Sequence, residues 1–343
     1  MDRQVIFLVD RDRPSYVEAA ELYREAFAEA GIGVLDMPYA AAERGPLPGA
    51  WIVHHTIGPL LRPVPDALNT AVVFHEWDRY PAPWVAALNA FQSVWAPSTH
   101  VASTLRASGV TTPIDLVPPP VAARRMPPKT SWTAPPPFRL LSIGEAHFRK
   151  GFHLLIDGFM RAFPASGDAM LTLKVSPSCT WRPPRTDIVL IADHLDRSDL
   201  LSLYRRHDAY VTASLGEGLG LPVAEAVLAG LPLVANAWGG HCDLVRPADS
   251  WPIAHELVPQ VFCSDPSYYA DGQRCAYSSA DQVAAALRAV RASTPAEREA
   301  RALRARSALR SSHGVAEIAA LVQRHRPSRL TSPARAADYA RVS

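Results

Sequence analysis

The sequence predicts an α/β protein built as two parallel-sheet domains within 343 residues. Three observations carry that expectation. Short apolar runs alternate with helix-patterned stretches through the first third of the chain, a proline-crowded segment interrupts them, and the same alternation then restarts. Strands separated by helical patterns imply βαβ units and a parallel sheet. A chain of this length accommodates two domains of ordinary size.

The elements follow in order. Residues 5–9 (VIFLV) form an apolar run of strand length, and residues 16–31 repeat Val17, Leu22, Ala26 and Ala30 at helical spacing before Gly31 stops the helix. Residues 50–55, 69–77 and 93–98 are further strands, and residues 99–110 a helix with a glycine terminator. Prolines crowd residues 116–137, which excludes a helix or inner strand and suits a semi-rigid spacer. Strands resume at 138–144, 169–175, 187–192, 208–213 and 232–237, and the chain from Asp281 is mostly helical. The expected division is a first domain over 1–117, a linker over 118–137, a second domain over 138–325, and a tail or crossover segment over 326–343. Two such domains joined by a hinge suggest a cleft that closes on its substrate and excludes water.

The chemistry concentrates at 214–230, SLGEGLGLPVAEAVLAG. Glu217 lies in a loop where Gly218 and Gly220 let the backbone turn tightly and approach a ligand. Pro222 fits the first turn of the helix that follows, and Glu225 stands one turn in. Unfilled N–H groups at a helix start, with the helix dipole, favour an anion. The plain alternative is a pair of solvated charges at a helix start. The apolar run before the loop argues for function, because it places the turn at the carboxyl end of a strand, where open α/β sheets bind ligands. In SIGEAHFRKGF (142–152), Gly144 permits a turn, and Arg149 and Lys150 arrive just before a helix. They make either a second anion-binding element or an Arg-Lys pair in solvent.

These segments, with their flanks at 194–214, 229–245, 140–163 and 74–110, resemble in order the retaining glycosyltransferases of family 4 (group 1). Glu217 to Glu225 is similar to that family's E-x7-E element. The resemblance implies the GT-B fold, two Rossmann-like α/β domains with parallel sheets facing each other across a cleft, and C-terminal helices that pack back on the first domain. It implies transfer of a sugar from a nucleotide-sugar donor, UDP- or GDP-linked, to a hydroxyl acceptor (a glycan, a lipid-linked or a small molecule), with retention. Glu217 would face the transferred sugar, and Glu225 would bind the ribose. Gly144, Gly218, Leu219, Gly220 and Leu221 would line the donor, with the N–H groups of Gly220 and Leu221 on phosphate. Lys150 and Arg149 would stabilise the departing diphosphate. His75 would face the acceptor, with His54 and His55 as competing candidates and Trp77 as a surface for a sugar ring. In front-face attack the leaving phosphate takes the acceptor's proton, unlike the two-carboxylate arrangement of glycosidases.

Two departures stand out. Where the family carries an arginine after the loop glycine, this chain has Glu145, and Arg149 is expected to substitute for it. After the first strand, VDRDRPSY (9–16) replaces a glycine-bearing loop; its Asp10 and Asp12 form a D-x-D, read as turn residues rather than a metal site. No metal or other cofactor is expected. The departures motivate a second reading, a lapsed GT-B protein acting as a binding or partner subunit; a nucleotide-sugar epimerase is a third.

Composition bounds the rest. With 35 basic and 33 acidic residues the net charge is +2, which gives no basis for nucleic-acid binding. The run REARALRARSALR (298–310) reads as a solvated helix face, with peripheral contact to an anionic membrane surface as the lesser reading. Four scattered cysteines suggest neither a zinc site nor a disulfide framework, though Cys263 and Cys275 could approach each other. The start of the chain lacks a signal-peptide pattern, and no apolar run reaches a membrane span, so the expected compartment is the cytoplasm.

Overall fold

The run Gln4–Val9 (β1) is buried from Val5 to Val9, as a central parallel strand covered on both faces must be. The computed structural model that shows this describes residues 4–45, 47–124, 126–261 and 270–327. Around β1 lie α1 (Pro14–Glu29), β2 (Gly33–Pro38), β3 (Trp51–His55), β4 (Leu68–Val72), α2 (Ala82–Leu88), β5 (Ser93–Ala96), α3 (Thr99–Ala107) and β6 (Ile114–Leu116). The strands pair in parallel in the order β2-β1-β3-β4-β5-β6. Proline at the first position starts α1, and Ser98 caps α3 by accepting from Val101 N. One face of the sheet meets α1 through Phe7, Trp51 and Trp95 against Tyr23 and Phe27.

A second sheet holds β7 (Phe138–Ile143), β8 (Ala169–Lys174), β9 (Ile188–Ile191), β10 (Ala209–Thr212), β11 (Leu233–Asn236) and β12 (Trp251–Ile253). Its order is β12-β11-β10-β7-β8-β9, again parallel throughout. Read from the other edge this is 3-2-1-4-5-6, the order of a dinucleotide-binding sheet, with its topological switch between β7 and β10. Helices α4 (Phe152–Ala162), α5 (Arg197–Arg205) and α6 (Leu221–Leu228) follow β7, β9 and β10. A hairpin of β13 (Glu256–Pro259) and β14 (Arg274–Tyr277) precedes α7 (Ala280–Ala292), α8 (Pro295–Ser312) and α9 (Val315–Arg324).

The chain forms two units. Of the described residues, the first unit holds those up to Ala123 with 270–273 and 312–327, and the second holds 124–261 and 274–311. Helix α9 therefore joins the first unit, where Ile318 and Val322 complete the core beside α1. The proline-rich stretch is not a free spacer beyond Arg124. Trp132 is buried, its indole N–H donates to Gly230 O at 2.9 Å, and Lys129 N donates to Ala229 O at 2.8 Å. The basic run 298–310 differs from its expected solvated face too. Arg298 is 3% exposed and donates to Trp132 O, Arg301 lies over the Trp251 ring and donates to Ser250 O, Arg304 pairs with Asp249, and Arg306 donates to Leu228 O. Cys263 and residues 328–343 lie outside the described residues. No described helix is long and apolar enough to cross a membrane.

Both histidines that end β3 are fully buried, and burial lowers them, His54 to about 4 and His55 to about 3. Each is neutral in the fold and titrates near 6.5 when unfolded, so its stabilisation is complete above pH 6.5 and is lost as pH falls toward about 4 for His54 and about 3 for His55. Chemical denaturation is expected to show the first unit weakening over that window, by about 1.4 kcal/mol per pH unit for each histidine. In His55→Phe, where the ring stays among Phe7 and Tyr23, the slope should flatten; an unchanged slope contradicts the assignment.

Candidate functional site

At the topological switch the loops leaving β7 and β10 diverge, and their side chains meet again above the sheet. After β7, Gly144 donates to Lys174 O at 3.0 Å, and a side chain there would press on the Lys150 methylenes at 3.3–3.5 Å. Glycine at 144 thus leaves room for the lysine to lie back along the loop. A 3-10 turn, Phe148–Lys150, ends at Gly151 with φ +66°, where a Cβ would overlap the Ala213 carbonyl. The two loops are joined through the backbone: Leu215 N donates to Arg149 O at 2.7 Å, and the Ser214 hydroxyl donates to the same oxygen at 3.2 Å.

Glu217 sits at this junction, 8% exposed. Its Oε1 accepts from Lys150 Nζ at 2.6 Å, and Arg149 Nη1 lies 3.5 Å from Oε2 while donating to Gly216 O at 2.7 Å. Burial pushes the carboxyl up, but the Lys150 and Arg149 charges outweigh it and hold Glu217 at about 2. The Gly239-Gly240 turn supports the loop from behind. Gly240 N donates to Glu217 O at 2.7 Å, and a Cβ at 240 would overlap Gly218 O. Asn236 Nδ2 donates to Ser214 O, and His241 Nε2 lies 2.7 Å from Asn236 O.

Gly220 caps α6 with φ +90°, a conformation that suits glycine, and the helix starts without a side-chain cap. Leu219 is buried and anchors the turn; Leu221 opens the helix. Glu225, 5% exposed on α6, forms a second cluster. Arg124 Nη1 and Arg197 Nη1 donate to its Oε1 at 2.5 and 2.7 Å, and the Tyr204 hydroxyl donates to Oε2 at 2.9 Å. Sequence reasoning did not find Arg124, Arg197 or Tyr204. Arg124 is 101 residues from its partner and lies in a stretch whose only local signal is proline.

Residues 137–262 match the family described as "Glycosyl transferases group 1". Over 133 residues the chain is 35% identical to a glycogen synthase of Mycobacterium tuberculosis (strain H37Rv), a stretch amounting to 37% of this chain and 30% of that relative. Among solved structures, "OtsA apo structure" matches 95% of this chain and 100% of its own at a TM-score of 0.63 and 12% identity. Trehalose-6-phosphate from E. coli bound with UDP-2-fluoro glucose matches 94% and 98% at 0.60 and 11% identity. The pneumococcal O-GlcNAc transferase GtfA, in complex with UDP and GlcNAc, matches 88% and 59% at 0.56 and 14% identity. The fold is GT-B.

The remaining sequence expectations fall as follows. Glu145 is turned outward with 70% of its side chain exposed, 3.8 Å from His147, and Arg149 is the residue that joins Lys150 at Glu217. His75 does not end a strand, since β4 stops at Val72. It is 3% exposed, its Nε2 lies 2.7 Å from Arg79 O, its ring meets Tyr80 edge-on, and burial lowers it to about 4. His54 bonds Asn69 Oδ1 at 2.8 Å, and His55 packs against Phe7 and Tyr23. Trp77 is 3% exposed, so it offers no face for a sugar. Asp10 accepts from the Thr56 hydroxyl at 2.9 Å and from Asp12 N, and pairs with Arg13, which makes it a turn organiser at the β1/β3 switch.

Glu217 is ionised down to about pH 2 in the fold against roughly 4.3 when unfolded, so the stability it contributes is present above 4.3 and is lost as pH falls toward 2. Carbon-detected NMR of the carboxyl should show that low midpoint. In Lys150→Met the midpoint should rise by at least one pH unit, because burial then faces Arg149 alone; a midpoint that stays put would show that Lys150 is not the controlling charge.

Proposed function

We propose that this protein transfers a sugar from a nucleotide-sugar donor, UDP- or GDP-linked, to a hydroxyl acceptor with retention of configuration and without a metal. The observation that supports this most directly is the charge at the switch point. Arg149 and Lys150 surround one carboxylate, and Arg124 and Arg197 surround another. Four cations against two carboxylates leave a surplus of +2, matching the roughly two negative charges of a diphosphate. The matched glycosyl transferases group 1 stretch contains three of the four cations and both carboxylates, and structures of this fold have been solved with UDP or a UDP-sugar analogue.

On this reading Lys150 and Arg149 take the diphosphate, aided by the backbone N–H groups at the start of α6. Glu217 accepts hydrogen bonds from the sugar hydroxyls and faces the positive charge that develops at the anomeric carbon. Glu225 holds the ribose. The acceptor hydroxyl attacks from the face the diphosphate leaves, and a diphosphate oxygen takes its proton, so no protein base is required. His75 shapes the acceptor-side loop through its bond to Arg79. The outward turn of Glu145, with 70% of its side chain exposed, weakens the ground for a binding-only protein.

The test is a panel of UDP-, GDP- and ADP-sugars monitored by calorimetry and by slow nucleotide release. One nucleotide should bind and be released. Glu225→Ala should weaken nucleotide binding by roughly 10-fold or more, from the loss of charge-assisted hydrogen bonds. Lys150→Ala should reduce turnover by roughly 100-fold or more while the protein stays folded. If none of the nucleotides binds, the transferase reading fails.

A further inference from the structure

Strands β7 and β10 are parallel neighbours that carry the Lys150 and Glu217 loops at their carboxyl ends. A second polar site forms at their amino ends. There a pocket of about 300 Å³ lies between the proline-rich stretch from Pro128 to Pro135 and the end of α5. Lys129, Arg139, Arg205 and Arg206 line it against a single carboxylate, Asp208. Four cations against one carboxylate leave a surplus of +3 in this one place, where the whole chain carries +2.

These cations come from three segments. Arg205 and Arg206 alone would be ordinary partners for the carbonyl end of a helix. Arg139 stands near the start of β7, however, and Lys129 arrives from the proline-rich stretch, where its N–H donates to Ala229 O at 2.8 Å. Asp208 is already engaged. Its Oδ2 accepts from Arg139 N at 2.9 Å, and its Oδ1 lies 3.5 Å from Lys129 Nζ. Lys129 Nζ also donates to His207 O at 2.7 Å, and its ammonium keeps a donor to spare. The guanidinium groups of Arg139, Arg205 and Arg206 make no ion pair or hydrogen bond among the described residues. Burial lowers Lys129, Asp208 opposes this, and the Arg139 charge lowers it further. Like charges thus press on one another around a concave surface, to which Ser131 and Thr133 add two hydroxyls 2.8 Å apart.

We propose that this pocket binds a phosphate group, as the free ion or as the phosphomonoester of a small molecule. Guanidinium forks match phosphate oxygens bidentately, and unpaired cations converging on one cavity gain most from a ligand with about two negative charges. The volume is at the lower end of the roughly 300–1,000 Å³ of small-molecule sites, which suits phosphate with a short attached group over a nucleotide. The ligand is not a donor's diphosphate, because Glu217 and its cations lie at the other end of the same two strands. The proposal stands on these residues and does not depend on the transferase reading.

Inorganic phosphate and glycerol 3-phosphate are titrated separately into the full-length protein by calorimetry, with UDP and GDP in parallel. At least one of the two phosphates should bind, and the tighter of them tells the free ion from the ester. The double variant Arg139→Gln/Arg206→Gln should weaken that binding by roughly 10-fold or more, while any UDP or GDP affinity stays within about 2-fold. Ser131→Glu, which adds a carboxylate to the pocket and removes no cation, should do the same. All three positions are exposed, so circular dichroism should show an unaltered fold. Lys150→Met, at the other end of the strands, should leave phosphate binding unchanged. The proposal is overturned if neither phosphate binds, if binding survives both pocket variants, or if Lys150→Met abolishes it.

Discussion

The site depends on a buried carboxylate that is never left without cations. Glu217 is nearly enclosed, and an enclosed carboxylate without partners would take up a proton at ordinary pH. Lys150 and Arg149 prevent this from a loop 67 residues earlier in the chain. The bond therefore fixes two strand ends relative to each other as well as a protonation state. The backbone bond from Leu215 to Arg149 O, the Ser214 hydroxyl and the Gly151–Ala213 contact all sit at the same junction. Each of these contacts brings the β7 and β10 loops close enough for the ion pair to form.

Much of the arrangement was legible in the sequence because it is local. A carboxylate in a glycine loop, a second one a turn into the next helix, and a cation pair before another helix are readable from spacing. The topological switch then puts them together. What spacing cannot show is a partner brought in from far away. Arg124 and Arg197 reach Glu225 across 101 and 28 residues, and neither lies in a recognisable pattern. The histidine at 75 was misplaced for a different reason. The apolar run VVF continues past the last ladder residue, so hydrophobicity alone extends the strand, whereas pairing with β5 ends it at Val72. Trp77 was misjudged in the same stretch, because an aromatic residue beside charges reads as exposed until its packing is seen.

The same limit applies to the connection between β8 and β9. Prolines and a tryptophan between 176 and 186 mark an irregular crossover, but only the strand order shows that β8 and β9 are neighbours and that a helix is missing between them. Leu173 is buried all the same, at 1% exposure, while Leu190 stays partly exposed. The basic helix α8 shows the opposite case. Its arginines look like a charged surface in sequence, yet carbonyl groups of neighbouring segments and the Trp251 ring use them to hold the second unit together.

The pairing of glutamates with cations also accounts for how the proposed anion site could exist before its anion arrives. Four cations gathered without counterions would repel one another and disperse the loops. Glu217 and Glu225 act as internal counterions that hold the guanidinium and ammonium groups in place at a net cost of two charges. On the proposed reading, a diphosphate would meet a surplus of +2 that is already oriented, so little reorganisation would accompany binding. Each carboxylate keeps lone pairs that, on the same reading, would accept hydrogen bonds from hydroxyls of the groups attached at either end of the diphosphate. A site made of cations alone could bind phosphate, but it could not accept a hydrogen bond from the sugar on one side or the ribose on the other.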